Sequence, residues 1–299
     1  MREFAQFIMK GRHYAIAIAG LLGTLAVALP PFSLFSGATV GLVTLRHGIK
    51  EGLIVTAGAA LIVATTFLVV TGRADLTFPL LVGLWLPNVL GCWILRITQS
   101  QALTLLAIGG FAALFAASMY LITGDVTAWW QQLIEQVIHQ ANIEGITAEQ
   151  LTQVNALILM NGLVSMLFGL NLMVTILLAR WWQGLLYNPG GFVKEFYALR
   201  LPRNLTFFIL LLAIIVFIGV FDNKAHILID ILIISIMMYL FQGLAAIHEI
   251  VTARKLPQLW LLPVYLGLFF FTPNFIIGLA TIGIVDSLIN LRGSLSAKS

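Results

Sequence analysis

The sequence predicts an all-α fold: a polytopic transmembrane helical bundle of about 8–10 membrane segments. Both termini are expected inside, with one interfacial amphipathic helix on the outer side. Three observations predict it. The 299 residues are 60% hydrophobic and only 9% charged, against about 25% charged in a soluble domain. The apolar residues gather into stretches approaching the roughly 20 that a helix needs to cross the hydrocarbon layer. The basic residues fall almost entirely on alternate connections between those stretches.

A folded monomer still exposes much of its chain, so water cannot accommodate a mean hydropathy of +1.02. Lipid removes the problem. Strands of an outer-membrane barrel would alternate apolar and polar residues. Runs such as Phe207–Phe221 do not.

The apolar segments run 14–29, 32–45, 52–71, 78–95, 100–123, 152–179, 205–221, 226–249, 258–271 and 274–290. Pro30-Pro31 separates the first two, and Thr272-Pro273-Asn274 separates the last two. Proline has no N–H and interrupts a helix, so each pair is expected to form a tight hairpin, spanning, tilted or re-entrant. A hairpin returns to the side it left, so the orientation is the same in every case. Arg2, Lys10 and Arg12 precede the first apolar run, and Ala26-Val27-Ala28 resembles a signal cleavage site. Leu29-Pro30-Pro31 would follow the cut and the next residues stay apolar, so this run is expected to be kept as a helix.

Alternating the segments places Arg2, Lys10, Arg12, Arg46, Lys50, Arg96, Arg180, Lys194, Arg200, Arg203, Arg254, Lys255, Arg292 and Lys298 on one side. That is 14 of the 16 Lys and Arg, with only Arg73 and Lys224 opposite. Basic residues concentrate in cytoplasmic loops. The expected location is therefore a bacterial inner (cytoplasmic) membrane, multi-pass, with residues 124–151 outside and 180–204 inside. An impermeant thiol reagent applied from outside should label a cysteine placed at Gly145 and spare one at Gly190. The opposite pattern would invert the assignment.

The outer stretch 124–151 holds Asp125, Glu135, Glu144 and Glu149 and no Lys or Arg. Within it, Val126, Trp129, Trp130, Leu133, Ile134, Val137 and Ile138 recur at three- and four-residue steps, one apolar face of a helix. Paired tryptophans suit the membrane–water interface, and Thr147 with Gln150 fits a capping box. The helix either covers the bundle or acts as a moving lid; the first is the simpler reading. In the inner stretch, Asn188-Pro189-Gly190-Gly191 is turn chemistry. Phe192, Phe196 and Leu199 can share one face of a short interfacial helix. This stretch reads as a membrane-surface anchor or a docking surface for a partner.

One membrane domain, 1–299, is the simplest partition, since no internal repeat stands out. Cys92 is the only cysteine, which excludes an intrachain disulfide and a cysteine-rich metal site. A pI near 9.4 is explained by the loop cations rather than by nucleic acid. No Walker loop, HExxH pair or GxSxG elbow is present. No catalytic residue, metal or cofactor is therefore expected, and any ATPase module would be a separate chain.

Polar side chains inside lipid are costly and mark cavities or bundle interiors. On segment eight, Ser235, Tyr239, Gln242 and Glu249 form one stripe, with Asp230 and His248 on another side. On segment six, Asn161 and Ser165 share a face, with Thr175 near the same line and Asn155 and Asn171 off it. Pro87-Asn88, Asp286 and Asn290 complete the set. Ser235, Tyr239, Gln242, Glu249, Asn161 and Ser165 are the candidates for lining a ligand cavity. The competing reading is interhelical hydrogen bonding, with Glu249, His248 and Asp286 reaching Arg254, Lys255 and Arg292. Ala15, Ala19 and Gly23 have the small-xxx-small spacing that permits close helix approach.

The stretch Ala179-Arg180-Trp181-Trp182-Gln183-Gly184-Leu185-Leu186-Tyr187-Asn188-Pro189-Gly190-Gly191-Phe192 resembles the YybS-like family of predicted bacterial inner-membrane proteins, a domain of unknown function. Gly283-Ile284-Val285-Asp286-Ser287 with Leu291-Arg292, and Gly37-Ala38-Thr39-Val40 with Arg46-His47-Gly48, are similar to it as well. That family is distantly similar to the substrate-binding subunits of energy-coupling-factor transporters. The resemblance implies a transporter-like bundle in which small residues of the first helix, here Ala15 and Ala19, meet a membrane partner. Arg180, Trp181, Trp182, Asn188, Pro189, Gly190 and Gly191 are further partner-contact candidates. About ten segments, rather than the usual six helices of such subunits, is a departure from that pattern. The leading expectation is a transporter-like protein that binds a small solute with partner subunits in the lipid bilayer. The alternatives are a scaffold or assembly factor for envelope proteins, and, third, a membrane-embedded enzyme.

Overall fold

The computed structural model describes residues 1–141, 156–219 and 226–296. Thr147, Gln150 and Asn155, with the expected capping box, lie outside the described residues. Each of the ten apolar segments corresponds to a helix, and no strand occurs among the described residues. In chain order the helices are α1 (Arg2–Ile8), α2 (Arg12–Ala28), α3 (Pro31–His47), α4 (Ile49–Thr71), α5 (Leu86–Thr98), α6 (Gln101–Thr123), α7 (Val126–Ala141), α8 (Ala156–Tyr187), α9 (Gly191–Tyr197), α10 (Arg203–Ile218), α11 (His226–Ala253), α12 (Leu262–Phe270), α13 (Thr272–Ile289) and α14 (Leu291–Ser296).

Six described helical stretches are long and apolar enough to cross a membrane: α4, Ala74–Thr98, α6, α8, α11 and α13. A seventh arises if α1 and α2, bent by 114°, count as one. The sequence suggested about 8–10 membrane segments. The difference lies in α2 and α3 at 17 residues each, α10 at 16 and α12 at 9. All four are helical but shorter than the roughly 20 residues of a straight span.

The chain divides into two compact units, Met1–Ile108 with Leu170–Leu199, and Gly109–Gly169 with Arg200–Ser299. In the first unit α3 is the core. Every residue from Ser36 to Leu45 is buried. Helices α2 and α4 pack on α3 and on each other. Ala15, Ala19, Gly20, Gly23 and Ala26 form the buried face of α2, and small residues let helix backbones approach closely. A polar thread ties three helices. Trp85 Nε1 donates to Ser36 Oγ at 3.0 Å, Ser36 Oγ donates to the Ala19 carbonyl at 2.7 Å, and Asn88 Nδ2 donates to the Gly37 carbonyl at 2.6 Å. Pro87 supplies no N–H to the turn before it. A π turn over Leu81–Trp85, closed by Leu86 N–H on the Leu81 carbonyl, absorbs the mismatch.

Helix α8 runs 32 residues, so Arg180-Trp181-Trp182-Gln183 belongs to a helix and not to a loop. Nothing in that stretch breaks a helix until Pro189, which disfavours the helical region for Asn188. Asn188-Pro189-Gly190-Gly191 is then a type II turn. Proline takes its second position, Gly190 its third at φ 81°, ψ −12°, and Gly191 N–H closes it on the Asn188 carbonyl at 3.0 Å. Phe192 and Phe196 stack on α9 with centroids 6.1 Å apart, and Leu199 is buried.

In the second unit the closest crossing is between α11 and α13. Gly243 and Gly283 sit at the contact. A Cβ at Gly243 would lie 2.0 Å from the Leu279 carbonyl oxygen, and one at Gly283 2.2 Å from that of Tyr239. Helix α7 is the amphipathic helix expected from its spacing. Asp125 Oδ1 accepts the Ala128 N–H at 3.0 Å at its start. Val126 is buried, and Trp129 and Trp130 meet edge to face at 4.8 Å.

Candidate functional site

The stripe on α11 turns inward. Ser235, Tyr239 and Gln242 are all buried. Their hydrogen-bonding capacity is taken up by the chain itself. Ser235 Oγ bonds back to the Ile231 carbonyl. Tyr239 Oη meets Thr206 Oγ1 at 2.8 Å, and that hydroxyl meets Ser287 Oγ at 2.6 Å. Gln242 Oε1 accepts the Leu201 N–H at 2.9 Å, and its Nε2 donates to Asp286 Oδ2 at 3.0 Å. Arg292 closes the network, donating to Asp286 Oδ2 at 2.6 Å and to Glu249 Oε2 at 2.8 Å. Burial works against the Arg292 charge, but its hydrogen bonds to the two carboxylates overcome it and hold the guanidinium above its ordinary range. The stripe ties α10, α11, α13 and α14 together, which is the interhelical-bonding reading of these residues.

Asn161 and Ser165 are likewise buried on α8. Ser165 Oγ donates to the Asn161 carbonyl at 2.6 Å. Asn161 Nδ2 donates to Asp230 Oδ2 at 2.6 Å, and Tyr120 Oη donates to the same oxygen at 2.7 Å. The sequence places Asp230 on a different side of its helix from the stripe and gives no signal for Tyr120. Their partners lie 69 and 110 residues away along the chain, beyond the reach of any local periodicity.

Several cavities of a size to hold a solute lie away from these residues, the largest of these, at about 570 Å³, between α1, α2, α3 and α4. In the first unit a cavity of about 380 Å³ is lined by Leu45, Leu95, Arg96, Gln99, Arg180, Gln183, Asn188 and Glu195. A second, of about 280 Å³, is lined by Gln99, Ser100, Gln101, Ala102, Lys194, Glu195, Ala198 and Leu199. The two share Gln99 and Glu195. None of the six residues proposed from the sequence to line a cavity lies on either wall. Arg96 Nη1 donates to the Leu45 and Arg46 carbonyls at 2.5 and 2.6 Å, capping the end of α3. Arg180 donates to both Glu195 carboxylate oxygens and to Gln183 Oε1, and Gln183 Nε2 donates to the Leu45 carbonyl at 3.2 Å. Gln101 differs from these. It is 3% exposed, and neither its Nε2 nor its Oε1 has a hydrogen-bond partner among the described residues. The available signal was the Gln99-Ser100-Gln101 interruption between two apolar runs.

The partner-contact candidates divide. Ala15 and Ala19 are buried in the first unit by their own chain, and Trp182 is fully buried with its ring 5.4 Å from that of Phe4. Arg180 is held by Glu195, Trp181 is half-buried and Gly191 follows it in that class, while Asn188, Pro189 and Gly190 are exposed. Small-xxx-small spacing shows that a helix can be approached closely, not which helix approaches it.

Large apolar side chains stand fully outward along the long helices, among them Val69 at 79% on α4 and Leu121 at 88% and Ile122 at 79% exposure on α6. Water would not tolerate this on helices of such length, and acyl chains do. The fold therefore defines a polytopic α-helical integral membrane protein. No protein-family model, curated protein or solved structure matches the chain.

Proposed function

We propose that this chain is a transporter-like protein of a bacterial inner membrane that binds a small anionic solute in the adjoining cavities of its first unit. The observation that carries the reading is Gln101, a buried amide with no partner on the wall of one cavity. A buried amide left unsatisfied costs about 1–3 kcal/mol, and the Gln101 side chain, closed off at rest, would recover it by turning towards a polar solute in the cavity. Arg96, Arg180 and Lys194 face the cavities against the single carboxylate of Glu195, which favours a negatively charged occupant. Volumes of about 380 and 280 Å³ suit a small metabolite. By the distribution of basic residues these walls face the cytoplasm, with both termini on that side. The likeness to the YybS-like family, and through it to substrate-binding transporter subunits, supports the same reading. Asn188, Pro189 and Gly190, being exposed, are then the better surface for a membrane partner or a separate ATPase module than Ala15 and Ala19.

The test is Gln101→Leu in purified protein, with thermal stability followed against a panel of small carboxylates and phosphates. At least one anion should stabilise the wild type and leave the variant unmoved. The variant alone should be at least as stable as wild type, because it loses an unsatisfied polar group. A variant that responds to the same anion as wild type, or a wild type indifferent to the whole panel, would sink the proposal.

A further inference from the structure

Asp230 is fully buried in the second unit, where it meets Tyr120 on α6 and Asn161 on α8. Its hydrogen bonds are lopsided. Oδ2 accepts from both Tyr120 Oη and Asn161 Nδ2. Among the described residues Oδ1 has no partner, and neither does Asn161 Oδ1. Asn161 Nδ2 reaches one more acceptor, the Ala116 carbonyl at 3.3 Å. Oδ1 points towards the α8 backbone beside Asn161, since a Cβ at Gly162 would lie 2.9 Å from it. Two acceptors of adjoining groups are thus orphaned in a place where each unsatisfied group is expensive.

Among the described residues the facing groups supply no side-chain donor to Oδ1, and the Gly162 N–H of α8 lies beside the carboxylate without completing a hydrogen bond to it. Tyr120 from α6 is spent on Oδ2, and α8 offers the Asn161 amide and no titratable group. His226, four residues earlier on α11, is the basic group near the carboxyl. Among the described residues Asp230 makes no ion pair with Lys or Arg.

We infer that Asp230 is a proton-binding site, the acid form pairing with the Asn161 amide. The step is the transfer of one proton from hydronium to Oδ1: an O–H bond of hydronium breaks, one forms at Oδ1, and a water molecule leaves, with no change of oxidation state. Oδ1 then becomes a donor and Asn161 Oδ1 its acceptor. Together with the Asn161 Nδ2–H bond to Oδ2, a closed acid–amide pair forms and both orphans are satisfied. Release of the proton leaves a buried carboxylate among α6, α8 and α11 with Oδ1 and Asn161 Oδ1 again unpaired, which favours the separation of these helices and the entry of water. Ionisable residues inside membrane bundles commonly serve as such relays. The inference goes beyond the anion reading and does not rest on it.

Infrared spectroscopy of the protein in lipid nanodiscs tests it. The wild type should show the carbonyl band of a buried protonated carboxylic acid, shifted by isotopically labelled aspartate and lost in Asp230→Asn. The band should weaken as pH rises and return when pH is lowered. Tyr120→Phe keeps the acid and the amide but removes a donor to Oδ2, so the band should move to higher frequency. This variant and the labelled wild type carry the assignment if Asp230→Asn fails to insert. Absence of the band from the folded wild type at every pH overturns the inference. A band unchanged across the folded pH range also overturns it, since the proton would then be fixed. A band present in choline chloride and abolished by sodium chloride would overturn it in favour of a metal-cation site.

Discussion

Gly283→Val should abolish accumulation of folded protein, and Gly283→Ala or Gly243→Ala should each destabilise it by about 3 kcal/mol, the upper part of the usual overpacking range. The atoms that a new Cβ would meet are backbone carbonyl oxygens of the opposing helix, at 2.0 and 2.2 Å. A flexible side chain could rotate away, but a carbonyl locked in a helix cannot. The helices would have to part, and the contacts along α11 and α13 would loosen with them. Gly278→Ala is the internal control. It lies on the same helix with nothing within 4 Å of its added Cβ, so it should be neutral or stabilising by up to about 1 kcal/mol through helix propensity. Thermal unfolding followed by size-exclusion chromatography reads the series. Equal stability of Gly283→Ala and Gly278→Ala would disprove the tight crossing.

Arg292→Met should be nearly as damaging, at about 3–5 kcal/mol, the usual cost of removing one partner of a buried ion pair. The Arg292 side chain is 1% exposed and that of Asp286 is 0% exposed. Taking away the guanidinium strands the carboxylate, to which Gln242 Nε2 still donates at 3.0 Å. The diagnostic variant is the double change Asp286→Leu with Arg292→Met, which removes both charges and should recover most of the loss, because the penalty belongs to the unpaired charge. Arg292→Lys should recover little. Lysine is a point donor and cannot serve Asp286 and Glu249 through separate nitrogens of one planar fork. A double variant as unstable as Arg292→Met would show that packing, not charge, holds this end of the unit.

Much of this fold was legible in the sequence. The long apolar runs predicted the long helices, and the three- and four-residue spacing of Val126 to Ile138 predicted α7, because both signals are local. Boundaries were less legible. The run from Arg180 to Gln183 looks polar enough for a loop, yet Trp182 is buried and the helix continues until Pro189 removes the option. The site was the least legible. Periodicity correctly puts Tyr239 and Gln242 on one face, but it cannot say that the Leu201 N–H, Thr206 and Asp286 already occupy them. Asp230 looked solitary because its partners are separated from it by whole helices. Gln101 opens α6, and its lack of a partner among the described residues exists only as a fact of three-dimensional packing.

Helix α3 carries a consequence for biogenesis. A segment bearing Ser36, Gly37, Thr39, Gly41 and Thr44 is a weak candidate for leaving the translocon into lipid unaided, since insertion of a lone segment is set by its own apolarity. It need not do so, because its neighbours surround it. Its membrane residence is therefore a collective property, acquired when α2 and α4 close around it. Lesions on those two helices should appear first as failed integration of α3, with protease-accessible chains on the wrong side of the bilayer.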